Sequence, residues 1–369
     1  MENPIVLQLD PSEGNPRNSE GAFADLPDGR LMFAYTRYCG TEGRDASPAE
    51  IAGRFNTDQG RTWSPDDTIL LPNEGKANVM SVSLLSMGNG DLGLFYMRKD
   101  GPMACRSYLR RSRDGGQHWS DPVRVVQAPG YFVMNNDRVI RLGTGRIVVP
   151  VAFHRLNREP QNPLDFSAID HRGIAVYYLS DDDGQTWRQS ADWYGLPLSS
   201  GSGLQEPGVV ELKDGRVWSW CRTDQGQQWS LWSSDGGDHW TPPVPTRIMS
   251  PCSPASVKRI PSTGDLLMVW NDHERSRNNK DLPHPLPPLD PQPASAGRTP
   301  LVAAISQDEG RTWSRRRCLE TSPAHGFCYT AIHFVEDHVL LAYCAGGQDV
   351  GNVLRRLRMR QVPLAWLYQ

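Results

Sequence analysis

The chain has 369 residues, 38% of them hydrophobic, and this length can bury a large core in one big β architecture or in two ordinary domains. Its formal net charge of −3 at pH 7 excludes the basic surface that nucleic acids and anionic membranes select. No apolar run reaches the ~18 residues of a membrane-spanning helix, so a helical integral membrane protein is also excluded.

The first segment of the chain, MENPIVLQLD, lacks the basic start and the apolar core of a signal peptide. Seven cysteines, an odd number without CxxC spacing, indicate free buried thiols in a reducing compartment. Both features favour a cytoplasmic location, although a secreted chain trimmed of its leader has the same appearance. The run IVLQL predicts a first strand.

Five stretches repeat one polar turn that is closed by a tryptophan: FNTDQGRTWS, RSRDGGQHWS, LSDDDGQTWR, WSSDGGDHWT and ISQDEGRTWS. The shared aspartate can accept backbone N–H bonds and hold the turn. A glycine two residues later supplies a positive φ, and the tryptophan holds the turn against the sheet beneath. The aspartates are Asp58, Asp114, Asp182, Asp235 and Asp308; the glycines are Gly60, Gly116, Gly184, Gly237 and Gly310; the tryptophans are Trp63, Trp119, Trp187, Trp240 and Trp313.

Successive copies of this repeat turn lie 53–73 residues apart, a period that suits one four-stranded β unit with its loops. Strand pairs marked by GDLGLFY, GRIVVPVAF, GRVWSWC and GDLLMVW fall between the copies. A sixth unit without the turn ends the chain, with a half-buried strand in LRRLRMRQ, and the N-terminal IVLQL can complete its sheet. Because a closed ring leaves no exposed edges, the pattern predicts a single six-bladed β-propeller domain over residues 1–369.

The repeat turn is identified as the Asp-box, and the chain resembles the sialidase superfamily over nearly its whole length. The resemblance implies that the five turns are structural and lie on the face away from an active site. Enzymes of this family cleave a sugar that carries a carboxylate on its anomeric carbon. They grip the carboxylate with arginines, attack with a tyrosine that a glutamate activates, and protonate the leaving oxygen with a carboxylic acid. No cofactor is implied.

Three segments carry this resemblance most specifically. The segment GLQEPGVVELKDGRVWSWCR is similar to the family's base and clamp unit, which implies a base at Glu206 and a carboxylate-binding arginine at Arg222. A second carboxylate-binding arginine is implied at Arg298, just ahead of the fifth repeat turn. The segment GFCYTAIHF resembles the one that carries the nucleophile, which places it at Tyr329. These residues share one phase relative to their strands, so a ring would bring them to one end.

The opening unit, RNSEGAFADLPDGRLMFAYTRY, resembles the family's first clamp, with Arg17 binding the carboxylate and Arg37 as an accessory arginine near the acid. The family pattern is Arg-Ile-Pro, whereas Asn18, Ser19 and Glu20 follow here. At the mouth, Glu20 is expected to repel a substrate carboxylate or to accept a hydrogen bond from a sugar hydroxyl. This departure leaves the identity of the sugar open.

The acid is implied at Asp45 in the segment RDASPAEIAGRF, which resembles the family's acid loop. Two other carboxylates, Glu42 and Glu50, share that loop and either could be the acid. The histidines and cysteines are scattered and their spacing fits no metal site.

Two further regions have alternative interpretations. In MNNDRVIRL, Asn136 and Asp137 suit either sugar hydroxyls or an ordinary turn. His154 closes a strand, and surface exposure is expected for it rather than a place on the pocket wall. The proline-rich segment at about residues 271–297 is either a wall over the pocket or a plain insertion.

The sequence therefore predicts an exo-glycosidase of sialidase type that hydrolyses terminal sialic acid, or a related nonulosonic acid, with retention. An enzyme of the same fold acting on another acidic sugar, such as a uronic acid, by hydrolysis or β-elimination is the first alternative. A propeller that only binds glycans is the second. In each case the expected partner is an acidic glycan or glycoside, and the oligomeric state stays open.

Overall fold

The computed structural model describes residues 3–197, 199–274 and 297–369, and regular structure in these ranges is almost entirely β. Two 3-10 turns, Phe166–Ala168 and Gln348–Val350, and one short α-helix, α1 (Leu364–Leu367), are the helical elements there. Within the same ranges, none of the helices has the length and apolar character needed to cross a membrane.

The strands follow one another at short intervals along the whole chain. Those of the first part are β1 (Ile5–Leu9), β2 (Asn18–Asp25), β3 (Leu31–Tyr38), β4 (Ala49–Asn56), β5 (Thr68–Leu71), β6 (Asn78–Ser86), β7 (Leu92–Lys99), β8 (Ala104–Ser112), β9 (Val123–Arg124) and β10 (Gly130–Val133). Those of the middle part are β11 (Ile140–Arg141), β12 (Ile147–His154), β13 (Ile174–Ser180), β14 (Arg188–Gln189), β15 (Gln205–Glu211), β16 (Val217–Arg222), β17 (Gln227–Ser233) and β18 (Val244–Met249). Those of the last part are β19 (Ser256–Arg259), β20 (Leu266–Asn271), β21 (Leu301–Ser306), β22 (Ser314–Glu320), β23 (Cys328–Val335), β24 (His338–Cys344) and β25 (Leu357–Pro363).

Hydrogen bonds join these strands into antiparallel meanders. Three four-stranded sheets have the orders β2-β3-β4-β5, β15-β16-β17-β18 and β19-β20-β21-β22. A fourth has the order β1-β25-β24-β23, so the first strand of the chain completes the last sheet, as the sequence predicts. In β25 the side chains of Leu357 and Met359 are buried and the arginines between them are half-buried, which confirms the expected half-buried strand.

The second and third units differ from the predicted pattern because they form one nine-stranded sheet. Its members run β14-β13-β12-β10-β8-β7-β6, with β11 on β12 and β9 on β8. The link is β10, which pairs antiparallel with β12 and parallel with β8. Two meanders that the repeat predicts as separate are therefore joined by one four-residue strand, and the described residues form five sheets where six were expected.

The five repeat turns have the geometry that their sequence predicts. In each turn the aspartate accepts a hydrogen bond from the backbone N–H four residues later, at 2.8–3.0 Å. The glycine two residues after the aspartate has φ between +80° and +96° in all five copies. In the first copy the Trp63 indole N–H donates to the Gly60 carbonyl oxygen at 3.2 Å, which closes the turn.

Each repeat turn lies at one end of its sheet, and the first strand of that sheet begins at the other end. In the sheet β15-β16-β17-β18, β15 begins beside Arg222 and ends beside Val217, which is paired with Ser233. The turn with Asp235 follows Ser233 directly. Seven residues of strand, about 20 Å, therefore separate the turn from the end where β15 begins.

The core lies between neighbouring sheets rather than within one. The sheet β2-β3-β4-β5 packs Phe33 and Tyr35 against Leu340 and Met359 of the last sheet, and all four side chains are fully buried. The Trp63 ring of the first repeat turn packs against this cluster. Each fully buried side chain of this size contributes about 1.5–3 kcal/mol to folding. Four cysteines are buried thiols, as expected: Cys105, Cys221, Cys328 and Cys344.

Candidate active site

Four first strands share an irregularity at their starting ends. In β2, β6, β15 and β23 the pairing with the next strand shifts register, which marks a β-bulge. In each strand the first residue within the bulge has a positive φ: Glu20 (55°), Ser81 (56°), Glu206 (47°) and Tyr329 (59°). Few residues other than glycine adopt this conformation, and bulges of this kind re-aim side chains next to active sites. All four side chains line one cavity.

This cavity, which we call the central cavity, has a volume of about 260 Å³. One part of its wall is charged and polar, and the other is apolar and aromatic. The charged and polar part consists of Glu20, Asp45, Ser81, Lys99, His154, His171, Gln205, Glu206, Arg222 and Tyr329. The apolar part consists of Met80, Met97, Tyr131, Val133, Phe166 and Ile169. A ligand with both a charged group and an apolar substituent fits this division.

The Tyr329 phenol is hydrogen-bonded to a buried carboxylate. Its hydroxyl donates to Oε1 of Glu206 at 3.3 Å, and Nη2 of Arg222 donates to the same oxygen at 3.0 Å. The other oxygen of Glu206, Oε2, is buried and has no hydrogen-bond partner among the described residues. Burial raises the pKa of Tyr329 far above its ordinary value, and the charge of Glu206 raises it further. The phenol is therefore neutral at physiological pH and needs a base to react as a nucleophile.

Arg298 lies beside the same phenol. Its guanidinium carbon is 5.3 Å from the centre of the Tyr329 ring, and its Nη1 donates a hydrogen bond to Sγ of Cys328 at 2.9 Å. Arg298 and Arg222 therefore both approach Tyr329, although 76 residues lie between them in the chain. Two guanidinium groups next to one phenol make a binding place for a planar anion such as a carboxylate.

Arg17 differs from these two arginines because it already contacts two carboxylates. The side chain is buried, with Nη1 2.6 Å from Oδ1 of Asp45 and Nη2 3.3 Å from Oε1 of Glu20. Its Nε donates to Oγ of Ser19 at 3.0 Å, and its guanidinium lies over the Tyr38 ring at 4.4 Å. The predicted first clamp is therefore at the site, but its donors are already used within the protein.

Asp45, the predicted acid, is on the cavity wall with 67% of its side chain exposed. Partial burial favours its neutral form, but the charges of Arg17 and Lys99 outweigh this and hold the pKa of Asp45 below its ordinary value. Nζ of Lys99 also donates to the backbone oxygen of Asp45 at 2.9 Å. A general acid must carry a proton before the reaction, so Asp45 can serve only if a ligand displaces it from Arg17.

The accessory arginine and the two alternative acids lie away from the central cavity. Arg37 pairs with Glu50 at 2.7 Å and with Asp67 at 3.2 Å, and neither Arg37 nor Glu50 is on the cavity wall. Glu42 is 61% exposed and lies 3.5 Å from Arg44. These ion pairs hold Arg37 against the outer strands of its sheet, and its place near the acid stays a prediction.

Asn136 and Asp137 connect strands instead of lining the cavity. Asp137 accepts hydrogen bonds from Nζ of Lys258 at 2.6 Å and from the backbone N–H of Ile332 at 2.9 Å. Nδ2 of Asn136 donates to the backbone oxygens of Gly21 at 2.8 Å and Tyr329 at 3.2 Å. The geometry favours the structural alternative for both residues, and Asn136 holds the backbone of the candidate nucleophile.

His154 is buried, which corrects the expectation of surface exposure. Only 8% of the residue is exposed, it lines the central cavity, and its Nδ1 lies 2.9 Å from the backbone oxygen of Asp170. The reason is its pairing with Tyr131 of β10, a strand that the sequence pattern does not reveal. Burial lowers the pKa of His154 to about 4, so the imidazole is neutral at pH 7.

The sequence analysis missed Lys99 and Ser81 as site residues. Lys99 is the last residue of β7 and is paired with Asn78, the first residue of β6, as Arg222 at the end of β16 is paired with Gln205 at the start of β15. Comparing the ends of second strands across the repeat units would therefore have identified Lys99. Ser81 occupies the bulge of its unit and is recognisable only once the bulge is seen. Residues 275–296 of the proline-rich segment, interpreted as either a wall over the pocket or a plain insertion, lie outside the described residues.

Comparisons with known proteins agree with this architecture. A family model for the BNR repeat-like domain matches residues 15–341. A search of curated protein sequences gave no significant match. Among solved structures, a protein of unknown function from Dyadobacter fermentans DSM 18053 superposes with a TM-score of 0.70 at 17% identity, covering 98% of this chain and 99% of that one.

Two sialidase structures are also similar to the chain. The Hadza microbial sialidase Hz136 has a TM-score of 0.69 at 18% identity, with 95% of this chain and 66% of that one covered. The leech intramolecular trans-sialidase, in complex with 2,7-anhydro-Neu5Ac, has a TM-score of 0.71 at 14% identity, with 100% and 71% covered. At these identities the likeness establishes the fold. Since the family model spans most of its length, the chain belongs to the BNR repeat-like domain family.

Proposed function

We propose that the chain is a retaining exo-glycosidase of sialidase type, which releases a terminal sialic acid or a related nonulosonic acid from glycoconjugates. The observation that carries the proposal is the hydrogen bond from the Tyr329 hydroxyl to the buried Glu206 carboxylate, inside a cavity that also holds Arg222. A carboxylate nucleophile would repel a substrate carboxylate, whereas a neutral phenol with a base does not.

In the first step Oη of Tyr329 attacks the anomeric carbon and gives its proton to Glu206. Asp45, protonated in the complex, passes its proton to the leaving oxygen as the glycosidic bond breaks. In the second step Asp45 takes a proton from water, the water oxygen attacks the anomeric carbon, and the phenolate leaves and recovers its proton from Glu206. Two displacements at one carbon give net retention.

In this proposal Arg222 and Arg298 hold the substrate carboxylate, since both approach Tyr329. Among the described residues, each of them contacts only one acidic or thiol side chain, so donors remain for the ligand. Binding there places the anomeric carbon beside the phenol. Arg17 joins them only when Asp45 turns away from it, which also frees Asp45 for its proton transfer.

We propose further that the sheets close into a ring of six blades in one domain. In support, β2 lies against both β6 and β23, β15 lies against β12 and β19, and β19 lies against β23. The nine-stranded sheet then corresponds to two blades that β10 joins. A ring of this kind brings the four bulges to one end of a common axis, where the central cavity lies.

The proposal is tested by the hydrolysis of a fluorogenic α-sialoside, with the stereochemistry of the released sugar followed by NMR. We expect turnover with first release of the α-anomer, and we expect Tyr329→Phe to abolish it. If the wild-type protein turns over no 2-keto acid glycoside, the proposed substrate class is wrong. Binding on a glycan array without any product would indicate a glycan-binding protein instead.

One observation favours a second candidate, an enzyme for another acidic sugar such as a uronic acid. Arg17 already contacts the carboxylates of Asp45 and Glu20, so the site offers fewer free guanidinium donors than a three-arginine clamp. A uronic acid bears its carboxylate away from the anomeric carbon and needs no such clamp there. Release of product with a rise in the ultraviolet absorbance of an unsaturated uronate would establish a lyase; release without it would establish a hydrolase.

A further inference from the structure

The environment of Glu20 distinguishes this residue from the other cavity carboxylates. It occupies the bulge of β2 with φ 55°, and only 5% of the residue is exposed. Oγ of Ser81 donates to its Oε2 at 2.9 Å, and Nη2 of Arg17 lies 3.3 Å from its Oε1. Both oxygens are held, so Glu20 cannot leave the site without breaking two buried contacts.

Asp45 contacts the same arginine but lies at the protein surface. Its side chain is 67% exposed, whereas Arg17 and Glu20 are buried. When a substrate carboxylate approaches Arg17, Asp45 can turn into solvent, but Glu20 stays. The guanidinium charge is then shared by two buried carboxylates, which repel each other unless one of them carries a proton.

Several charged or titratable groups face Glu20 or share its cavity: Arg17, Tyr38, Asp45, Lys99, Glu206, Arg222, Tyr329 and Cys344. Burial raises the pKa of Tyr38, Tyr329 and Cys344, so these three stay neutral at physiological pH. Burial also raises the pKa of Glu20, with Asp45 and Glu206 adding to the effect and Arg17 and Ser81 opposing it. Glu20 therefore takes up a proton more readily than a solvent-exposed glutamate does.

From this arrangement we infer that Glu20 is a specificity-determining residue that couples the binding of a carboxylate-bearing sugar to the uptake of one proton. The inference rests on the proposed function, because it assumes that a sugar carboxylate enters the central cavity. In the neutral form, Glu20 leaves the charge of Arg17 available to the ligand. In the ionised form it favours a ligand that presents a hydroxyl group to it.

The test measures proton uptake during ligand binding by isothermal titration calorimetry in two buffers that differ in ionisation enthalpy. The probe is 2-deoxy-2,3-didehydro-N-acetylneuraminic acid, and its methyl ester is the matched ligand without a charge. For the wild-type protein, at a pH above the pKa of Glu20 in the free protein, we expect uptake of up to one proton with the acid and about none with the ester. Above the pKa of Glu20, the affinity for the acid should fall roughly tenfold per pH unit.

Three variants identify the group that takes up the proton. Glu20→Gln should bind the acid with no proton uptake and with an affinity that no longer falls as the pH rises. Asp45→Asn, the matched control, cannot take up the proton that Asp45 needs as the acid, and it should keep the uptake that depends on Glu20. Ser81→Ala removes a hydrogen bond to the ionised form, raises the pKa of Glu20, and should move the fall in affinity to higher pH. This variant keeps the test decisive if Glu20→Gln does not fold.

The outcomes separate the inference from the proposed function. If the wild type binds the acid without proton uptake, or if Asp45→Asn alone abolishes the uptake, the inference is wrong while the proposed function stands. If neither the wild type nor Glu20→Gln binds the acid at any pH between 5 and 8.5, both fail, because no sugar carboxylate then enters the cavity.

Discussion

The Tyr329 hydroxyl donates a hydrogen bond to Oε1 of Glu206 at 3.3 Å, across 123 residues of chain. Both residues sit on β-bulges with positive φ at the starts of their strands, so the same local distortion directs both side chains. Nucleophilic catalysis by tyrosine requires a base in contact with the phenol. Here burial raises the pKa of the phenol, and a buried carboxylate contacts it.

Replacing the base tests this pair directly. Glu206→Gln keeps a side chain of the same size but cannot accept the phenol proton. We expect kcat on a fluorogenic α-sialoside to fall by roughly 10²–10⁴-fold, the usual contribution of a general base. Because the substitution also removes the negative charge next to Arg222, KM should not rise. A kcat equal to that of the wild type would exclude Glu206 as the base.

The two arginines beside Tyr329 are expected to bind the substrate carboxylate with forked donors. Lysine keeps the charge but cannot match two oxygens at once. For Arg222→Lys and Arg298→Lys we expect KM to rise roughly ten- to a hundredfold, as one charge-assisted hydrogen bond is lost. The matched control is Arg146→Lys, whose guanidinium pairs with Asp181 and Asp238 near the repeat turns. An equal rise of KM in the control would show a general effect on folding.

His154 should make the fold sensitive to mild acid. Burial lowers its pKa from 6.5 to about 4, so the unfolded chain binds a proton in this range while the folded chain does not. The free energy of unfolding therefore does not depend on the protonation of His154 above pH 6.5. As the pH falls from 6.5 towards 4, it decreases by up to about 3 kcal/mol. Urea unfolding between pH 4 and 7.5 should show a smaller loss for His154→Gln than for the wild type. Parallel pH profiles for the two proteins would contradict this.

The repeat turns should affect stability and not activity. At Gly184, φ is +83° and an added Cβ would lie 2.8 Å from Cδ2 of Leu109, so Gly184→Ala combines backbone strain with a clash. At Gly145, φ is +91° and nothing lies within 4 Å of an added Cβ, so Gly145→Ala has the strain alone. We expect losses in the free energy of unfolding of about 2–3 and about 1 kcal/mol, respectively.

Activity measurements complete this prediction. Folded protein of either glycine variant should keep the wild-type kcat/KM, because the turns lie about 20 Å from the strand ends that form the cavity. If Gly184→Ala lowers kcat/KM while its free energy of unfolding stays at the wild-type value, the repeat turns contribute to catalysis or substrate binding.

Much of the architecture is readable from the sequence because it is periodic. Five copies of one turn mark five strand ends, and alternating side chains in LRRLRMRQ predict the half-buried β25. The joining strand β10 is not readable, because it has four residues, occurs once, and pairs with β8 in parallel. Its effect is largest at His154, where an apparent surface residue becomes part of the cavity wall.

The site is partly readable for a similar reason. Glu206 and Tyr329 fall at one phase of the repeat, and the structure brings them into contact with each other and Glu206 into contact with Arg222. The partners of Arg17 and Asp137 could not be predicted, since they depend on backbone dihedrals and on contacts between distant strands. No residue pattern specifies a positive φ at a glutamate or a tyrosine; the neighbouring sheets impose it.

The bulges separate the chemistry of the cavity from the stability of the sheets. Each of them presents one side chain to the cavity while the strands on either side keep their pairing, so a substitution at such a position changes the ligand surface with little effect on the ladder. A combinatorial library limited to positions 20 and 81 would therefore explore new substrate preferences while the proposed nucleophile at 329 and the proposed base at 206 stay in place.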